Sequence, residues 1–263
     1  MYSKEHKEYL KKIKINTILV HFTRVVLLFL LIYTWEYLSK KEIINTFIYS
    51  SPSKIIQTIK TMYLQNNLFN HIWITIYETL ICFTLTAVLG ILIATILWYS
   101  NFLYKVLDPY LTLINSLPKV ALGPIIIIIA GANIKSIIIM TVLISIFVVI
   151  SNIYNGFINT DKNKIILLKS FNANKYQLLK ELIIPANYYV ILNTFKINIS
   201  MTLIGVIMGE LLVSKQGIGY LINYGKEVFN LNLVYSGVLI LLIISFLLYI
   251  IETLIEKKII KNK

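Results

Sequence analysis

Cysteine, arginine and charged residues in general are scarce in this sequence of 263 residues. Its single cysteine, Cys82, excludes an intramolecular disulfide and a cysteine-rich metal site. The three histidines lie far apart without the spacing of metal ligands, so we predict no metal site. Only 14% of the residues are charged, well below the share found in soluble globular domains.

The sequence also lacks the phosphate-binding pattern G-x-x-x-x-G-K-[ST]. Its longest glycine cluster, GIGYLINYG over 217–225, has no lysine at the place where that pattern needs one. We therefore expect that the chain itself hydrolyses no ATP and holds no cofactor. No cluster of Ser, His and Asp residues of the kind a membrane-embedded enzyme needs is found, so we predict no catalytic residue.

Long apolar runs are abundant instead: 57% of the residues are hydrophobic and the mean hydropathy is +0.76. A run of about 20 apolar residues can cross a bilayer as a helix. The sequence therefore predicts an all-α polytopic membrane protein with about six transmembrane helices. The predicted spans are Asn16–Leu38, His71–Tyr99, Leu107–Ala130, Ser136–Asn155, Tyr188–Val213 and Leu233–Thr253.

The third predicted span contains two prolines, Pro118 and Pro124, and a glycine, Gly123. Proline within a span is tolerated where protein or a cavity takes up the freed backbone groups. We therefore expect a kinked or broken helix at this place.

The net charge of +13 is compatible with a nucleic-acid partner or with membrane topology. With both termini cytoplasmic, the inner segments hold 15 basic residues and the outer loops hold 7. This asymmetry follows the positive-inside rule and predicts an N-in, C-in orientation. We expect no nucleic-acid partner.

A charged segment, SFNANKYQLLKELIIPANY over 170–188, interrupts the apolar runs on the predicted cytoplasmic side. Asn172 is one of the few non-glycine types that readily accept a positive φ, so a tight turn is expected there. A short amphipathic helix over 173–184 follows, and Pro185 limits it. Its apolar face carries Tyr176, Leu178 and Leu179. The pattern suits either a helix lying on the membrane surface or a docking element for a cytoplasmic partner.

Five stretches, in order along nearly the whole chain, resemble the permeases of ABC importers. In the charged segment Asn172 stands where that family has a glycine, Ala173 and Pro185 match, and 166–168 lack the usual Glu-Ala-Ala. The branch resembled is that of the permeases for nitrate, aliphatic sulfonates and taurine. The other four stretches are YTWEYL (33–38), SSPSKII (50–56), SLPKVALGP (116–124) and GELLVSKQGIGYLI (209–222).

The resemblance implies a type I ABC importer permease in a bacterial plasma membrane. Two copies would enclose the pathway, cytoplasmic ATPase subunits would use ATP, and an extracytoplasmic binding protein would deliver the solute. The expected regions are 1–69 (cytoplasmic head, first span and external loop), 70–254 (transmembrane domain with coupling loop 160–187) and 255–263 (basic tail). The residues expected to couple to the ATPase are Asn172, Ala173, Tyr176, Leu178, Leu179 and Pro185.

The candidate pathway residues are Pro118, Lys119, Pro124 and Glu210, because ionisable groups and helix breaks within spans are functional hypotheses by default. Lys119 either lines the pathway and attracts an anion, holds the broken helix through exposed carbonyls, or extends to an interface. Glu210 caps the glycine-rich loop, pairs with a lysine or contacts the solute. The solute expected is a sulfonate, nitrate, taurine or a related compound; a vitamin precursor and a non-ABC secondary transporter are the alternatives.

Overall fold

The structure, a computed structural model, describes residues 4–65 and 67–261, and every regular element in this part of the chain is a helix. A 3-10 turn, Lys119–Leu122, precedes α6, and a π turn, Leu179–Ile183, joins α9 to α10. The helices are α1 (Lys4–Lys40), α2 (Thr46–Tyr49), α3 (Pro52–Leu64), α4 (Leu68–Tyr99), α5 (Asn101–Ser116), α6 (Gly123–Ala130), α7 (Ile134–Ile158), α8 (Lys162–Ser170), α9 (Lys175–Leu178), α10 (Ile184–Ala186), α11 (Tyr188–Val213), α12 (Ile218–Glu227) and α13 (Leu231–Lys261).

Five helices, α1, α4, α7, α11 and α13, are long and apolar enough to cross a membrane, and the bent pair α5–α6 makes a sixth span. The six predicted spans are thus confirmed, and the fifth has the predicted bounds, Tyr188–Val213. The third was predicted to start at Leu107, but its helix begins at Asn101 because the Ser100 side chain accepts from the N–H of Leu103 at 3.3 Å. The helix breaks at Leu117 and Pro118, and the two halves meet at 86°.

Three helices, α4, α7 and α11, form the centre of the fold, and small residues let them approach closely. A Cβ on Gly205 would lie 2.8 Å from the Cα of Thr141, and one on Gly209 would lie 3.0 Å from the Cα of Ile137. The Gly205-x-x-x-Gly209 pair therefore serves packing of α11 on α7 within the chain, as helix pairs in membranes commonly do.

Polar side chains also join the long helices. Thr86 donates to the Asn198 side chain at 3.0 Å, and Asn198 donates to the carbonyl of Phe83 at 3.2 Å, so α4 and α11 are linked by hydrogen bonds. Lys196 of α11 forms an ion pair with Glu256 of α13. Such partners satisfy groups that would be costly to leave alone in an apolar environment.

The first helix stands apart from this core. None of the most apolar window of its span is buried, whereas 44% is buried in α7 and in α11. Its end alone is fixed: Glu36 accepts from the N–H of Ser53 at 3.0 Å, and Trp35 packs edge-on against Tyr235 at 6.0 Å between ring centroids. An apolar helix left uncovered in this way needs lipid or another protein around it.

Candidate functional site

A buried cluster, which we call the glycine clamp, holds the start of α12 against α4 and α11. It consists of His71, Thr75 and Glu210 together with the backbone of 217–219. Three successive backbone N–H groups each donate to a side chain: Gly217 to His71 Nδ1 at 3.0 Å, Ile218 to Thr75 Oγ1 at 2.9 Å, and Gly219 to Glu210 Oε2 at 2.6 Å. These are the N–H groups that the first turn of a helix leaves without an intrahelical partner.

The two glycines of the clamp are required by its geometry. Gly217 has φ +100, a conformation that side chains disfavour, and a Cβ there would overlap the Glu210 carboxylate. At Gly219 a Cβ would lie 2.8 Å from the carbonyl oxygen of Ile207. Only glycine lets the loop come close enough for these hydrogen bonds.

Glu210 is the acidic centre of the clamp and is 1% exposed. Its Oε1 accepts from the Thr75 hydroxyl at 2.7 Å, so both carboxylate oxygens are used inside the chain. Glu78 of α4 is buried as well, and its Oε2 has no hydrogen-bond partner in the described part of the chain. Of the three roles left open by the sequence, these contacts match the capping of the glycine-rich loop.

The residues of the helix break lie elsewhere. Pro118 and Pro124 are exposed, and Lys119 is half-buried between them. The Lys119 ammonium donates to Asn115 Oδ1 at 2.9 Å and lies 5.6 Å from the centroid of the Phe147 ring. Neither a backbone carbonyl nor a carboxylate accepts from Lys119 in the described residues, so the structure does not bring Lys119 and Glu210 together.

The predicted coupling loop, 160–187, is closed at its two ends by a buried hydrogen bond. Asn187 donates from Nδ2 to Thr160 Oγ1 at 2.7 Å and to the carbonyl of Ile183 at 2.9 Å. Lys175 fixes the middle of the loop, because its ammonium donates to the carbonyl of Tyr99 at 3.2 Å. The loop is therefore attached to the ends of α4, α7 and α11.

The tight turn predicted at Asn172 is present, with φ +58. The N–H of Ala173 donates to the carbonyl of Leu168 at 3.1 Å, and the N–H of Asn172 donates to the carbonyl of Lys169 at 2.9 Å. This pair of bonds is the Schellman motif that ends a helix through one left-handed residue. Asn172 therefore supplies the left-handed residue that this turn needs.

The second helical piece differs from the predicted 173–184. It begins at Lys175, after Asn174 and Gln177 form a reciprocal capping box, and it ends at Ala186, one residue beyond Pro185. Proline has no N–H to donate and crowds the carbonyl four residues before it. The π turn over Leu179–Ile183, in which the N–H of Ile184 donates to the carbonyl of Leu179, precedes the proline.

The structure also differs at Leu178 and Leu179, which the sequence prediction placed on the docking side. Leu178 is only 4% exposed, and Leu179 packs against the buried cluster that includes Ile183. The large apolar side chains of the loop that are more than half exposed form what we call the docking face. They are Ile166, Leu167, Phe171 and Tyr176, with Phe171 74% exposed.

Sequence reasoning missed the partners of the clamp. It also missed a polar pocket between α5 and α7 that Asp108 lines. His71 and Thr75 lie more than 130 positions before the residues that they contact, and no local pattern signals such a contact. Asp108 was not singled out, although an acidic residue within a span is itself a signal.

Comparisons with known proteins agree with one another. The family described as binding-protein-dependent transport system inner membrane component matches residues 86–261. The chain is 26% identical to a Bacillus subtilis protein described as an aliphatic sulfonates transport permease, SsuC, over 86% of this chain and 82% of that protein. It is 28% identical to the formylaminopyrimidine transport permease ThiX of Halalkalibacterium halodurans (83% and 86% covered). It is 21% identical to the taurine transport system permease TauC of Escherichia coli (83% and 81%). A structure of the inward-facing MetNI methionine ABC transporter has a TM-score of 0.66 at 15% identity, covering 74% of this chain and 97% of that one.

Proposed function

Because the chain belongs to the family of binding-protein-dependent transport inner membrane components, we propose that it works as a pair of identical permeases whose cytoplasmic loops bind ATPase subunits. The chain is an ABC importer permease for small solutes, with the type I fold, and a multi-pass protein of the plasma membrane. The partners, the coupling contact and the solute are the parts that we propose.

The observation that supports the coupling contact is the docking face. In the N-in orientation it lies in the cytoplasm, where four apolar side chains stand open on a loop whose ends are fixed by Asn187 and Lys175. An apolar patch on a fixed support is typical of a protein interface. A push on this patch would be passed to α7 and α11, since Thr160 and Asn187 adjoin these helices.

The coupling proposal is tested by exchanging one exposed aromatic residue for an acidic one. Tyr176→Asp should insert normally and lose the ATPase subunit during purification, because Tyr176 is 63% exposed and supports no buried cluster. Phe47→Asp is the matched control, since Phe47 is also 63% exposed but lies in the predicted external loop. Retention of the ATPase by Tyr176→Asp would exclude this face as the coupling contact.

A second copy of the chain is supported by what the single copy leaves uncovered. The most apolar window of α1 is uncovered, and polar side chains of α5, among them Thr112 and Asn115, are exposed within a span. Polar side chains do not face lipid hydrocarbon without a large cost, so a partner enclosing a water-filled space accounts for them. Cross-linking of single-cysteine variants on α5, such as Asn115→Cys, should give a dimer of this chain.

For the solute, we propose a small compound with an acidic group, of the kind that the names of the sulfonate and taurine relatives describe. The supporting observation is Lys119, a cation at the helix break with no carboxylate partner among residues 4–65 and 67–261. Lys119→Ala should reduce ATP-dependent uptake of the anionic solute. A vitamin precursor stays the alternative because of the ThiX relative, and ligand screening of the cognate binding protein by thermal shift separates the two.

A further inference from the structure

One face of α5 is polar along its length although the helix belongs to a membrane-crossing segment. Its members recur at intervals of three and four residues, so they share one side of the helix. The opposite side carries Val106, Tyr110 and Leu113, which are apolar and exposed. The polar stripe consists of Tyr104, Asp108, Thr112 and Asn115, and Lys119 follows at the break.

The stripe opens into a small cavity of about 170 Å³ between α5 and α7. Its lining is more polar than apolar, and the rings of Tyr104 and Tyr154, which both line it, stack at 4.0 Å between centroids. A cavity of this size takes a single chemical group or a very small solute, since drug-sized ligands need roughly 300 Å³ or more. The polar lining residues are Tyr104, Asp108, Thr112, Ser151, Tyr154 and Asn155.

Asp108 gives the cavity its charge. Asp108 and Tyr104, four residues apart on α5, both line it. The three ion pairs found in the described part of the chain join other residues, so no lysine neutralises it. A carboxylate beside aromatic rings and hydroxyl oxygens is a good environment for an ammonium group, through charge, hydrogen bonds and cation–π attraction.

We propose that this cavity is a subsite of the transport pathway that receives the ammonium group of a small zwitterionic solute after Lys119, further along the broken span, has attracted its acidic group. The inference rests on the proposed function, because it takes α5 to line the pathway. It adds a substrate class. A broken span with unpaired charges of both signs favours a solute that carries both an ammonium and an acidic group. In the N-in orientation α5 starts at the cytoplasmic side, so the Asp108 cavity lies nearer the exit than Lys119.

Thiol chemistry tests the charge of the cavity directly. The one native cysteine, Cys82, is fully buried, so an introduced cysteine reports alone. With Thr112→Cys in membrane vesicles, the cationic reagent 2-aminoethyl methanethiosulfonate should react about 10-fold faster than the anionic 2-sulfonatoethyl reagent, because a carboxylate lies one helical turn away. Adding Asp108→Asn should remove this preference. Leu113→Cys, on the opposite side of α5, should show none.

Equal rates for the two reagents at Thr112→Cys, a preference that survives Asp108→Asn, or no reaction at all would overturn the proposal. A second experiment tests the substrate class. 2-Aminoethanesulfonate should slow the reaction of Thr112→Cys with the neutral reagent N-ethylmaleimide, and ethanesulfonate, which lacks the amine, should not. Protection by both compounds or by neither would contradict an ammonium subsite. Co-purification of the ATPase from the same preparations reports separately on the proposed function.

Discussion

The glycine clamp and the coupling loop are both irregular segments between long helices, but they differ in where their partners lie. In the clamp, the N–H groups of 217–219 and both oxygens of Glu210 find partners within the chain, and the cluster is buried. In the loop, the backbone is equally well fixed by the turn at Asn172 and the bond from Asn187, yet the docking face stays open.

This difference separates residues that stabilise the fold from residues that we propose bind another protein. Changes in the clamp should lower stability first and transport as a consequence. Changes on the docking face should leave stability unchanged and remove coupling. Two residues of the loop, Asn187 and Asn172, belong to its support and let the distinction be tested within one segment.

The largest effect is expected for Glu210→Ala. The change leaves the N–H of Gly219 buried without its acceptor and removes the bond that the Thr75 hydroxyl donates, which costs about 3 kcal/mol. The melting temperature of the purified chain in detergent should fall by several degrees or more. Glu227→Ala, which removes an exposed glutamate of α12, is the control. If Glu210→Ala keeps its melting temperature and loses only transport, Glu210 is a pathway residue and not a structural one.

Gly217→Ala should come next. A methyl group at φ +100 strains the backbone and meets the Glu210 carboxylate, so we expect a loss of about 2 kcal/mol. The same melting measurement checks it, with the exposed neighbour Lys215→Ala as the control. If Gly217→Ala and the parent chain have the same melting temperature, the contacts of the clamp are looser than described.

Much of this architecture could be predicted from the sequence, and the failures have identifiable causes. Apolar runs mark the six spans, and the prolines mark the break, because both are local properties. The turn at Asn172 follows from its residue type. Leu178 was assigned to the docking side because a pattern marks which residues are apolar but not whether the chain's own core or another protein covers them. The partners of Glu210 and Asn187 could not be predicted, since they lie 135 and 27 positions away.

Asn187→Ala should have an intermediate effect. It removes two buried hydrogen bonds that close the coupling loop, to Thr160 and to the carbonyl of Ile183, at a cost of about 1.5 kcal/mol. The ATPase should still bind, because the docking face is unchanged, but ATP hydrolysis should depend less on transport. Asn163→Ala, on the exposed side of α8, is the control. Normal coupling in Asn187→Ala would show that closure of the loop is not needed to pass the movement on.

The smallest effects on stability are expected at Asn172, where one substitution should be neutral and another should weaken ATPase binding. Glycine accepts φ +58 without strain, so Asn172→Gly should keep stability within about 0.5 kcal/mol and keep the ATPase bound. Valine is β-branched and resists that conformation at a cost of about 1–2 kcal/mol. Because the turn is on the surface, the chain can relax there without unfolding, and Asn172→Val should reorient α8 against α9 and weaken ATPase binding. Equal ATPase retention in both variants would mean that the docking face tolerates a different turn, and the contrast with the clamp would then lie in burial alone.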